Sequence, residues 1–82
     1  MNPRFKIIGK QICWEKVSGT YTPRILVGDR GFGILITLEL DRRMVIAGDY
    51  GVTTSVIREI HSVEGTFKVT TENSVYLVKE VK

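Results

Sequence analysis

The chain has 82 residues, with 12 basic and 9 acidic side chains, a formal net charge of +3 and 43% hydrophobic residues. That length holds one core and excludes a second, so a single domain over residues 1–82 is expected, and the composition is that of a globular chain rather than a disordered one. The mild positive charge permits an anionic partner without requiring one.

The opening stretch MNPRFKIIGK has only Ile7-Ile8 as an apolar run before Gly9 and Lys10. That is short of a signal peptide, and no run approaches the roughly 20 apolar residues of a membrane span, so a soluble chain with no membrane partner is expected. In the first strand Phe5 and Ile7 share one parity while Ile8, Ile12 and Trp14 share the other. A bulge at Gly9 would bring Phe5, Ile7, Ile12 and Trp14 onto one face; otherwise both faces are partly covered. VSGTYTP, Val17 to Pro23, reads as a loop because Pro23 has no ladder donor. Ile25, Leu26 and Val27, closed by Gly28-Asp29-Arg30-Gly31, read as a hairpin leading into Phe32.

Phe32, Ile34, Ile36, Leu38 and Leu40 alternate with Gly33, Leu35, Thr37 and Glu39, predicting a strand with one continuous apolar face. Asp41-Arg42-Arg43 is then a charged, tight connection into the apolar run Met44 to Ala47, and Gly48-Asp49-Tyr50-Gly51 is a further turn. Residues 53–63 are ambiguous. Val56, Ile60 and Val63 have helical spacing and Ser55 suits a helix cap, but Thr53, Thr54, Val56 and Ile57 are β-branched, and strand is preferred. After a Glu64-Gly65 turn, Phe67, Val69 and Thr71 alternate with Lys68, Thr70 and Glu72, and Val75 to Val78 follows the Asn73-Ser74 turn. Five to six short antiparallel strands with no long helix predict an all-β chain folded as a small barrel or a strongly bent sheet.

Little in the chain assembles chemistry. His61, the one histidine, sits near Glu59 on a predicted strand and reads as a surface or edge residue; with Cys13 it makes no zinc site, and no metal or other cofactor is expected. Cys13, the one cysteine, excludes an intramolecular disulfide and points to a reducing cytoplasm. Beside Trp14 in an apolar strand it reads as a small buried hydrophobe, with Lys10 and Lys16 too weak a signal to make it a nucleophile. No pair of acids is spaced for general acid–base work, and Gly28, Gly31 and Gly33 lack the lysine and helix of a phosphate loop. No enzyme and no small-molecule substrate are inferred.

Arg30-Gly31-Phe32-Gly33 resembles the opening of the central strand of RNA-recognition motifs, whose aromatic rings stack on bases. Ile34 and Thr37 stand where that family has aromatics, and too few residues precede Arg30 for its helix, so the resemblance fails. A milder nucleic-acid reading survives: Arg30, Phe32, Arg42, Arg43 and Lys68, with Tyr50 and Tyr76 as further stacking rings, would suit a small barrel binding single strands. Against it, Phe32 reads as core and the arginine pair as a solvated turn.

The tail carries a second resemblance. Thr54-Ser55-Val56-Ile57-Arg58-Glu59-Ile60, then Phe67, Val69, Thr71 and Asn73-Ser74-Val75-Tyr76, is similar to the pattern of small uncharacterised β-barrel proteins of bacteria and their phages. Over that last third the resemblance implies an SH3-like or related barrel, with Asn73-Ser74 making a turn, Tyr76 closing the barrel, and no activity. The expected function is a non-enzymatic interaction module that binds a protein partner, or a second copy of itself, through an exposed strand edge or loop face. The alternative is nucleic-acid binding by the residues just named.

Overall fold

The computed structural model describes residues 7–19, 25–48 and 51–81. They form strands β1 (Gln11–Gly19), β2 (Arg30–Thr37), β3 (Arg43–Ala47), β4 (Val52–Val63), β5 (Thr66–Thr71) and β6 (Ser74–Glu80). Each strand pairs antiparallel with the next, and β6 returns to pair with β1, closing a six-stranded barrel. No helix among the described residues is long and apolar enough to cross a membrane.

Alternation along the strands fills the interior. Ile12 and Trp14 from β1, Met44 and Ile46 from β3, Val52 and Ile57 from β4, Phe67 and Val69 from β5, and Tyr76 and Val78 from β6 are buried together with Leu35 and Leu38. The ambiguous segment is strand. β4 pairs with β3 over its first half and with β5 over its second, which suits its β-branched run, and Ser55 Oγ accepts the Asn73 N–H at 3.2 Å instead of capping a helix.

The turns follow their residues. Glu64 (φ 50°) and Gly65 (φ 81°) both take positive φ, the backbone a two-residue hairpin needs to match the strand twist. At the next turn Thr71 Oγ1 accepts the Ser74 N–H and donates to the Ser74 carbonyl, each at 3.1 Å, so a buried hydroxyl closes the β5–β6 hairpin. The Asp41-Arg42-Arg43 connection forms with Asp41 at φ 64° and is tied to β4 by the Asp41 N–H to Ile57 carbonyl bond at 2.9 Å. Residues 49 and 50 of the Gly48 to Gly51 turn lie outside the described residues.

Three expectations are corrected. Gly9 (φ 85°) makes a turn, not a strand bulge, and β1 starts after it; Ile7, Ile12 and Trp14 still reach the core, Ile8 points out, and Phe5 lies outside the described residues. Ile25 to Val27 is no strand. It belongs to a loop turned at Gly28 (φ 96°) and docked on β1 through the Gly28 N–H to Lys16 carbonyl bond at 2.8 Å, and the arm opposite β2 is Gln11 to Glu15 of β1.

The largest correction is to β2, whose apolar face points outward. Phe32 is 66% exposed, Ile36 49% and Ile34 39%, while Gly31, Gly33 and Leu35 face the interior. Space is the reason. Trp14 stands opposite Gly31, where a Cβ would come within 2.9 Å of its Cζ2 atom, and a Cβ on Gly33 would lie 2.6 Å from the Ala47 carbonyl oxygen. The bulky β1 and β3 side chains fill the volume that β2 leaves by having glycines inside. A register shift between Leu35 and Thr37 then reverses the parity, so Leu38, just past the strand's end, is buried; Leu40 lies beyond it, in the turn towards β3, and is 57% exposed.

Candidate interaction face

Cross-strand register builds one outer face from four strands. Lys68 of β5 stands opposite Leu77 of β6, which stands opposite Glu15 of β1, itself opposite Arg30 of β2. The adjacent row runs Thr66, Lys79, Cys13, Phe32 across the same strands. These residues share the outward parity, and all but Lys68 line an open depression of about 620 Å³. The dip falls where the short Cys13 and Thr66 side chains alternate with the long Lys79 and the ring of Phe32.

Three of the five sequence-predicted site residues, Arg30, Phe32 and Lys68, therefore meet on one face. Arg42 and Arg43 do not join them. Arg30 opens β2 and Arg42 follows its far end, a strand length of roughly 23 Å away. Arg42 is held by Glu39 at 3.1 Å, and Arg43 Nη1 donates to the Thr54 carbonyl at 3.3 Å. Of the other proposed stacking rings, Tyr76 faces the core at 5% exposure and Tyr50 lies outside the described residues. Burial raises the Tyr76 hydroxyl above its ordinary pKa of 10.0, against the opposing effect of a hydrogen bond with the Ser74 side chain.

Cys13 is half-buried on the outer face, not in the core. Lys16 occupies the opposite parity of β1 and points inward, so strand alternation separates these two sequence neighbours. Lys16 is fully buried. Its Nζ donates to the Ile25 carbonyl at 3.1 Å, pinning the loop before β2 to the barrel end. His61 is exposed, with Nδ1 3.7 Å from a Glu59 carboxylate oxygen, and among the described residues no three His, Cys, Asp or Glu side chains cluster as a metal site.

Sequence reasoning missed Ile36, Leu77 and Lys79 as face residues and Lys16 as an interior one. For Ile36 the two glycines on one parity of β2 were a hint that the opposite parity projects, whereas nothing in the sequence placed Leu77 and Lys79, because the pairing of β1 with both β2 and β6 comes only with closure.

Comparison with protein-family models, curated proteins and solved structures finds no match to this chain.

Proposed function

We propose that this chain is a non-enzymatic interaction module that binds a protein partner through the outer face of β2 and its neighbours. The observation that carries this reading is the inverted parity of β2, which holds Phe32, Ile34 and Ile36 in solvent beside half-buried Cys13 and Leu77. A contiguous apolar patch on a small domain's surface is the mark of a surface that is covered in use. A free strand edge contributes as well: among the described residues the second half of β4 pairs with β5 alone. A reducing cytoplasmic setting belongs to this reading because Cys13 is the chain's one cysteine, as does kinship with small SH3-like barrels of bacteria and phages through Thr54 to Ile60 and Thr71 to Tyr76.

A photoreactive phenylalanine analogue tests the reading. Placed at position 32 in cells, it is expected to yield covalent protein adducts, with none from the same analogue at Glu72 on the β5–β6 turn. An adduct of twice the chain's mass would identify self-association. Adducts at neither position, or equally at both, would remove the β2 face as the binding surface.

One observation favours a second reading. Arg30, Phe32 and Lys68 lie on a single face with Lys79, an arrangement that suits a nucleic-acid strand stacked on Phe32 with phosphates on the cations. A gel-shift titration of single- and double-stranded DNA and RNA decides it: such binding must weaken steeply with salt, and no shift at low salt ends this alternative.

A further inference from the structure

The charge on this face is uneven in a way that selects a partner. Arg30, Lys68 and Lys79 are exposed, and the ion pairs among the described residues, Arg42 with Glu39, Arg58 with Asp41 and Glu72, and His61 with Glu59, engage other side chains. Arg30 stands at the β2 end of the face and the two lysines at the β5–β6 end. Between them lie Leu77, Cys13 and Glu15, with Phe32 beside Arg30 on β2 at that end of the face, and the Glu15 carboxylate disfavours a second acid at the centre. From β5 to β2 the face is three strand spacings wide, roughly 14 Å. Two rows of that width, with Ile34 and Ile36 added, cover on the order of a few hundred Å², under the ~800 Å² per partner of a stable dimer, which argues against a second copy as occupant. An extended segment of about five residues spans the same distance.

We propose that the partner presents a short extended protein segment with an apolar centre and carboxylates at both ends, laid across β5, β6, β1 and β2. This rests on the protein-binding reading above and names its partner's chemistry. The central aliphatic or aromatic side chain enters the depression over Cys13 and Leu77, with the Phe32 ring flanking it at the β2 end. The flanking carboxylates meet Arg30 at one end and Lys68 and Lys79 at the other.

The test is a titration of the nitrogen-15-labelled full chain, read by amide chemical shifts, with three probes of about six units each: Glu-Glu-Leu-Phe-Glu-Glu, its counterpart with lysine for glutamate, and a thymidine oligonucleotide. The acidic peptide is expected to move the amides of Cys13, Arg30, Phe32 and Leu77, and to bind about tenfold more tightly than the basic one. The double variant Lys68→Glu, Lys79→Glu, its fold checked by far-ultraviolet circular dichroism, is expected to reverse that preference. Equal binding of both peptides, lost in Phe32→Ser, would overturn the acidic assignment while leaving the protein-binding face intact. Shifts of the same amides by the oligonucleotide and not by the acidic peptide would overturn both readings in favour of a nucleic acid. No shift from either peptide overturns the acidic assignment, and the adducts at position 32 then judge the wider reading.

Discussion

A Cβ on Gly33 would meet the Ala47 carbonyl oxygen and the Ile46 Cγ2 atom, both at 2.6 Å, and the first of these is backbone that cannot swing away. Gly33→Ala is therefore expected to lower the unfolding free energy by about 2 kcal/mol in urea titrations. Gly31→Ala, whose Cβ would press at 2.9 Å on the edge of the Trp14 ring, should be milder; equal stability of Gly33→Ala and the parent would show that the interior is looser than described. Tyr76 sets a pH dependence. Burial raises its pKa above 10.0, so from about that pH upward the unfolded chain loses the proton first and stability falls as pH rises, with no contribution below it. Tyr76→Phe is expected to flatten that alkaline decline, measured as the difference between the two chains; identical slopes would mean that Tyr76 ionises as freely folded as unfolded. Neither effect was legible in the sequence. A glycine in a strand and a tyrosine after a turn have many environments, and only register decides which atoms approach them.

At the scale of the element, β2 shows how a period-2 pattern can be read correctly and oriented wrongly. Its alternation is real, but hydrophobicity says only which residues share a face, not which face turns inward. Leu35→Ala, at a fully buried site, is expected to cost about 2–4 kcal/mol. Phe32→Ala, two-thirds exposed, should change stability by less than about 1 kcal/mol while lowering any tendency to associate. Reversed magnitudes in thermal unfolding would restore the apolar-face-inward orientation. β4 is the opposite case: its β-branched run was legible as strand, and the pairing of its halves with β3 and β5 explains why twelve residues could carry mixed periodicity. Arg42 and Arg43 were legible as a turn, but their separation from Arg30 depended on β2 carrying the chain a full strand length between them.

Across the whole molecule, closure joins the first strand to the last. β6 pairs with both β1 and β5, so a chain ending at Glu72 loses a partner for each and exposes Ile12, Trp14 and Val69. Such a truncation is expected to collapse the amide spectrum to unfolded dispersion, because a chain this small buries too little surface to tolerate an open core. Retained dispersion would show that the first five strands are self-sufficient. Local residue patterns by themselves determined the all-β class, nearly all the strand positions and the turns, since β-branching, alternation and glycine act within a few residues. The tertiary structure alone decided that β2 turns its apolar side out, that Lys16 lies inside while Cys13 faces solvent, and that Arg30, Phe32, Lys68 and Lys79 share one face. Those outcomes depend on the volume of Trp14 and Ile46 reaching across from the flanking strands and on register over a closed barrel, and both are set by residues distant in the chain.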